Sequence, residues 1–265
     1  APFNAGLVGP KRHMSWMRCA FSDLRDVRRA LGGTINDVVL TVVSEAVARY
    51  LAGKDVTSAN QYLRIMCPVN VRTEDQQGAL GNQVSAIFPR VPAWPMDTVE
   101  RLRTVIQTMD QIKDGEEAQS ITLMRESLPQ LPPVGLAASQ LVGSRYDPTA
   151  LAARVMLPVL PTPPGFRAPN PGINFVCTNV PGVQVPQYLC GHRQLDMMGV
   201  LVLTGNLGLG ITVLSYNRQL YFTFLGEPRL LPEVDELCAH AQDAFNELTR
   251  AAGITRTQSP PSESA

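Results

Sequence analysis

Few side chains in this chain are placed for acid–base or hydrogen-bonding chemistry, and the first are Asn36 and Asp37. They stand together at the head of a long apolar run, Ile35 to Leu51. An amide and a carboxylate in the first turn of a buried helix cost free energy unless both are hydrogen-bonded. Thr34 before them and Asp37 at the third helical position form a capping pair. Such a pair satisfies free N–H groups and suits the positive end of the helix dipole. Capping alone does not require Asn36, so two readings stand: a helix terminus, or a polar pair presented to a site. The second candidate is Asn174–Gly182, N-F-V-C-T-N-V-P-G, a strand running into a Pro-Gly turn. Thr178 and Asn179 at its end could donate to an oxyanion or a bound thioester. Equally, an Asn at a turn bonds its own backbone.

The three histidines are the natural general bases. His13 follows Lys11-Arg12 and reads as a solvated loop residue; His240 reads as the flank of a helix. His192 stands four residues before Asp196, a spacing that puts imidazole and carboxylate on one face of a helix. The surrounding segment reads as loop and strand, and it lacks both a second His and a Gly after the Asp. No cysteine sits beside a cationic segment that would stabilise a thiolate. G-N-L-G-L-G at Gly205–Gly210 lies between two strands with no helix after it, so it is not a dinucleotide loop. H-H-x-x-x-D-G, G-x-S-x-G, a Walker A loop and a Cys/His ligand cluster are all missing.

The elements that must position these groups follow from periodicity. Met14–Phe21 reads as a strand, and Asp23 as the cap of a short helix ending at Gly32-Gly33. In the next helix Ile35, Val38, Val39, Val42, Val43, Ala46, Val47 and Tyr50 form a stripe so wide that the helix is expected to be nearly enclosed, packed across a sheet. Strands are expected at Tyr62–Val71 and Gln83–Val91, then a helix at Asp97–Lys113. Two or three further helices are expected between Glu116 and Leu160. Residues 158–172 form a Pro-rich connector. After it come strands at Ile173–Cys177, Leu201–Thr204, Leu209–Tyr216 and Leu220–Leu225, with Asn217-Arg218-Gln219 as a tight hairpin turn. A last helix starts at Pro232 and runs to Leu248. Residues 1–13 read as a linker, 14–252 as the folded domain and 253–265 as a disordered tail.

Composition sets bounds on this plan. The 265 residues are 45% hydrophobic and 17% charged, with Lys+Arg and Asp+Glu balanced at 23 each. No basic face suggests nucleic acid. The shortage of charge allows a large apolar patch facing a partner domain or a lipid surface. The five scattered cysteines read as reduced and buried, in a cytoplasmic protein. No apolar run reaches the ~18–20 residues of a membrane span. A chain opening on Ala-Pro-Phe-Asn is expected to be a processed or truncated piece.

Five segments, in order, carry a resemblance. They are G-G-T-I-N-D-V-V-L at Gly32–Leu40, P-V-N-V-R at Pro68–Arg72, L-G-N at Leu80–Asn82, Asn174–Gly182, and I-T-V-L-S-Y-N-R-Q-L at Ile211–Leu220. Together they resemble the C-terminal half of the bacterial wax ester synthase/diacylglycerol acyltransferase family. The resemblance implies an α/β (α+β) fold of the acyl-CoA-dependent, chloramphenicol acetyltransferase-like type. Its mixed sheet would pack with helices and form one of two similar halves around a tunnel. It implies a partner: an N-terminal half carrying H-H-x-x-x-D-G, whose His deprotonates an alcohol for attack on acyl-CoA. Acyl-CoA is then a substrate, not a cofactor, and the acceptor is diacylglycerol or a long-chain alcohol. Asn36-Asp37 matches the family's Asn-Asp motif, which supports the site. Cys177-Thr178 departs from the usual Val-Ser pair there. The rival expectation is a lipid-binding or interaction domain that kept the fold without the reaction.

Overall fold

Alternation of apolar and polar side chains builds the sheet. The computed structural model describes residues 1–54, 56, 60–70, 84–114 and 173–254. In β1 (His13–Ala20) Met17 and Cys19 are buried while Trp16 is half exposed, the period-two signature of a strand with one core face. Six more ranges contribute strands: β2 (Tyr62–Asn70), β3 (Val84–Ile87), β4 (Arg90–Pro92), β5 (Phe175–Val180) and the pair β8 (Leu209–Tyr216) and β9 (Gln219–Gly226). They form one seven-stranded sheet in the order β1-β9-β8-β5-β2-β3, with β4 also on β2. The sheet is mixed: β2, β5 and β8 run parallel, and the remaining pairs are antiparallel. A separate hairpin joins β6 (Tyr188–Leu189) to β7 (His192–Arg193).

Two strand expectations are corrected. The single strand expected over Gln83–Val91 is two short ones, because Pro89 has no N–H to give the ladder; its carbonyl instead accepts from Ile65 N. Leu201–Thr204 pairs with no strand among the described residues. The expected hairpin turn is present: Asn217 and Arg218 have φ of 45° and 64°, as a two-residue primed turn demands.

Four α-helices lie among the described residues, besides a 3-10 turn at Pro2–Asn4. α1 (Phe21–Leu31) begins on Ala20, so Asp23 lies within its first turn instead of capping it. Ser22 Oγ reaches Asp23 Oδ1 at 3.3 Å. Gly32 and Gly33, at φ 93° and 79°, turn the chain through 98° into α2 (Ile35–Gly53). α2 is buried from Asp37 to Ala48, as its apolar stripe predicts. α3 (Thr98–Asp114) is capped by Asp97, whose Oδ1 accepts from the N–H groups of Val99 and Glu100 at 3.0 Å each. α4 (Val234–Ala251) has Glu233 as its cap, so Pro232 falls just outside it. Among the described residues no single helix is long and apolar enough to cross a membrane.

The helices cover one face of the sheet, with α2 central against α3 and α4. Met17, Phe222, Phe224, Ile211, Val213 and Phe175 meet Val38, Val42 and Phe245 in one core. Each such side chain contributes about 1.5–3 kcal/mol by leaving water. Inside this core lies an ion pair. Glu45 of α2 and Arg101 of α3, both fully buried, bond to each other, and Arg101 also donates to the carbonyls of Pro92 and Trp94. Arg49 then bridges Glu45 at 2.8 Å to Glu247 of α4 at 2.6 Å.

The leader is irregular but anchored. Phe3 is buried edge-on against Phe175, 6.4 Å between centroids, and Asn4 Nδ2 donates to the carbonyls of Asn174 and Asn206. Four cysteines are buried; the expectation for Cys190 is corrected, since the turn of the β6–β7 hairpin exposes it. The helices expected between Glu116 and Leu160, the motif at Leu80–Asn82 and residues 255–265 lie outside the described residues.

Candidate functional site

The head of α2 and the end of β5 meet. Thr34 caps α2: Asp37 N donates to Thr34 Oγ1 at 3.2 Å, and Asp37 Oδ2 accepts from Thr34 N and Thr34 Oγ1 at 2.8 Å each. This reciprocal box occupies one carboxylate oxygen of the buried Asp37. Its other oxygen, Oδ1, is buried with no hydrogen-bond partner among the described residues. Asn36, on the next position round the helix, instead lines a cavity of about 500 Å³. Its wall includes Ile35, Asn36, Asn179, Ser215, Phe21 and Leu220 and is chiefly apolar.

Asn179 reaches this cavity because of the strand register. Asn179 pairs with Val213 on the helix-covered face, whereas Thr178 pairs with Thr212 on the opposite face. Successive strand residues point to opposite sides. The pair expected to act together is thus divided: Asn179 lines the cavity, and Thr178 stands in an outer row with Thr212 and Thr223. Neither Asn36 nor Asn179 spends its side-chain amide on a hydrogen bond among the described residues.

Two further residues shape the mouth. Gly182 N donates to Ser215 Oγ at 2.9 Å, and a Cβ on Gly182 would stand 2.1 Å from the Ser215 carbonyl oxygen, so only glycine fits. Gln184 Nε2 donates to Ser215 Oγ at 2.8 Å, and Arg218 N donates to Gln184 Oε1 at 3.1 Å. These bonds lock the Pro181-Gly182 turn beside the β8–β9 hairpin. Sequence reasoning missed Ser215 and Gln184, since partners 31 residues apart leave no local pattern. A second cavity of about 450 Å³ adjoins the first through Phe21 and Gln184 and is flanked by Arg25 and Arg218.

No histidine lines either cavity. His192 lies exposed in β7. Asp196 does not orient it: its Oδ1 takes Arg18 Nη1 at 3.1 Å and the Tyr221 hydroxyl at 2.9 Å. Burial, and then Asp196, push the Tyr221 phenol up to about 12. His13 and His240 sit near Asp235 and Glu236 at 3.3 and 3.7 Å. Burial alone pushes the Cys177 thiol up to about 12, which keeps it protonated and inert. Among the described residues no group of three or more His, Cys, Asp and Glu could hold a metal ion.

A mixed sheet with helices packed on one face and a chiefly apolar cavity at the head of α2 defines an α/β (α+β) fold class. The WS/DGAT C-terminal domain family matches residues 80–249, and the chain belongs to it. A probable diacylglycerol O-acyltransferase of Mycobacterium tuberculosis is 26% identical over 251 residues, covering 94% of this chain and 50% of the relative. A putative diacylglycerol O-acyltransferase of the same organism is 30% identical, covering 93% of this chain and 45% of the relative. The chain therefore spans about half the length of the curated relatives it matches. In fold it is similar to the wax ester synthase/diacylglycerol acyltransferase from Marinobacter aquaeolei VT8, with a TM-score of 0.65 and 22% identity over 95% of this chain and 52% of that one. It is also similar to the epimerization domain of tyrocidine synthetase B, with a TM-score of 0.50 and 12% identity over 94% of this chain and 50% of that one.

Proposed function

We propose that this chain is the C-terminal domain of an O-acyltransferase that moves an acyl group from acyl-CoA to diacylglycerol or a long-chain alcohol. The general base, a histidine of H-H-x-x-x-D-G, lies on a second, N-terminal half. One observation carries this reading: Asn36 and Asn179 line one chiefly apolar cavity, and their amides make no hydrogen bond among the described residues. In the reaction the acceptor hydroxyl loses its proton to the histidine and its oxygen attacks the thioester carbonyl. The C–S bond then breaks and the CoA thiolate leaves, taking up the proton. The Nδ2 groups of Asn36 and Asn179 donate to the oxygen on which negative charge gathers, and the apolar wall takes the acyl chain. Asp37 holds the helix end that aims Asn36. Thr178 stands on the outer face of the sheet beside Thr212, apart from this cavity. The names borne by the relatives support the reaction class. The buried reduced thiols fit a cytoplasmic protein, and the apolar acceptor implies that the assembled enzyme meets lipid at its periphery.

The test is Asn36→Ala in the complete two-half protein. The expected result is a fall in kcat/KM of roughly 10²-fold with an unchanged thermal midpoint. Wild-type turnover would remove Asn36 from the site.

A further inference from the structure

The second cavity, of about 450 Å³, opens beside the first and shares Phe21 and Gln184 with it. Its rim carries two guanidinium groups from distant parts of the chain, Arg25 of α1 and Arg218 of the β8–β9 turn. Both arginines are exposed, and neither guanidinium makes a hydrogen bond or ion pair among the described residues. Among those residues no carboxylate lines this cavity. The two acids of α1 are engaged elsewhere: Asp23 is buried and takes Ser22 Oγ at 3.3 Å, and Asp26 takes Arg29 Nη1 at 3.2 Å. In a chain whose formal net charge is zero, this is a local excess of positive charge. The frame that holds it is fixed. Phe21 N donates to Arg218 O at 2.9 Å, and Arg218 N donates to Gln184 Oε1 at 3.1 Å. Arg218 also stands at φ 64°, in a turn where glycine is the residue of least cost. Turn geometry gives no reason for an arginine there.

We infer that Arg25 and Arg218 form a subsite for phosphate groups, and that the phosphates it takes are those at the CoA end of the acyl donor. The inference rests on the function proposed above and deepens it. A guanidinium fork pairs with phosphate oxygens through two parallel N–H···O bonds, a match that a lysine ammonium lacks. An acyl-CoA needs two unlike surroundings, apolar for its chain and cationic for its phosphates. The two cavities supply them side by side, with Asn36 and Asn179 in one and both arginines in the other. The uncharged pantetheine arm between thioester and phosphates then crosses at Phe21 and Gln184, which both cavities share. Gln184 is held there, its Nε2 donating to Gly182 O at 2.9 Å and to Ser215 Oγ at 2.8 Å. The bonds that shape the mouth of the first cavity therefore also set the reach from phosphate to thioester. A phospholipid headgroup offers the same phosphate chemistry, and a choice of donors separates the two sources.

The test uses the complete two-half protein and two donors with the same acyl chain: acyl-CoA, and the S-acyl pantetheine, which carries no phosphate. The wild-type protein should prefer acyl-CoA in kcat/KM by about 100-fold, since each charge-assisted contact is worth about tenfold or more. In Arg25→Gln/Arg218→Gln that preference should shrink to about threefold or less, through a raised KM for acyl-CoA. Arg25→Lys/Arg218→Lys should recover part of it, and added salt should erode the wild-type preference. Arg218→Gly separates ligand from turn: the thermal midpoint should hold, because glycine is relaxed at this φ, while KM for acyl-CoA still rises. An equal loss on both donors would overturn the inference, since a group that only holds the fold or the other half does not distinguish them. So would an unchanged donor preference in the double variant. Either result leaves the proposed acyl transfer standing. Binding to phosphatidic acid vesicles that the double variant loses, with its donor preference intact, would assign the arginines to a lipid headgroup and overturn the inference as well. If the complete protein turns over neither donor, the function reading fails, and titration calorimetry with CoA itself decides the subsite. CoA binding that is lost in the double variant would uphold the subsite; no binding, or equal binding by wild type and variant, would overturn it.

Discussion

Two neighbouring side chains at the head of α2 divide the work that the sequence assigned to them jointly. Asp37 is buried and committed to Thr34, so its removal should be felt mainly as stability: Asp37→Ala should lower unfolding free energy by about 1 kcal/mol, read by urea titration of the isolated chain. Asn36 faces the cavity, and its loss should be felt as rate alone. The capping pair was legible because its partners lie three residues apart. The division of Thr178 from Asn179 followed from strand alternation but needed the register to say which side held the cavity. Ser215 and Gln184 were beyond reach, since only the fold brings them together. The cysteines give a second prediction at this scale. With a thiol reagent near neutral pH the native chain should show one fast thiol, Cys190, and four that react only on unfolding. The buried Cys177 thiol is raised from 9.0 to about 12 in the fold. A raised acid stays protonated in the native state while the unfolded chain ionises. Its stabilising contribution is therefore complete below pH 9.0 and lost as pH climbs toward about 12. The thermal midpoint should fall across that window, and less steeply in Cys177→Ala. An equal slope in the two proteins would contradict this cause.

At the scale of elements, the enclosure of α2 was readable from its apolar stripe, but the ion pair inside it was not. Glu45 falls in the run Val38–Ala48 and looks like a solvated interruption; it is instead fully buried against Arg101 of α3, which the chain supplies 56 residues later. Burial lowers the Arg101 pKa, and Glu45 opposes that shift. Arg101→Ala should therefore cost about 3–5 kcal/mol, since Glu45 would be left buried and uncompensated. Replacing both partners with apolar residues of similar volume should cost far less, and a double-mutant cycle by chemical denaturation separates the two outcomes. Punctuation misled in small ways for the same reason that it informs: Pro89 split a strand, Pro232 fell just outside α4, and Asp23 entered a helix it was expected to cap. The extended run at Leu201–Thr204 was legible as alternation. That it joins no strand among the described residues could not be read, because pairing is a property of neighbours and not of the segment.

At the scale of the molecule, the chain belongs to the WS/DGAT C-terminal domain family and spans about half the length of its curated relatives. The missing H-H-x-x-x-D-G was visible in the sequence. What the structure adds is a chiefly apolar cavity lined by Asn36 and Asn179, whose amides make no hydrogen bond among the described residues. A half of this kind should bind acyl-CoA weakly and leave it intact. The most direct measurement is acyl-CoA turnover with a diacylglycerol or long-chain alcohol acceptor, by the 265-residue chain alone and after mixing with the histidine half. The expected result is no turnover by the chain alone and turnover on mixing, lost again when the first-half histidine is replaced. Acyl transfer by this chain alone would contradict the account and would return His192 as a candidate base.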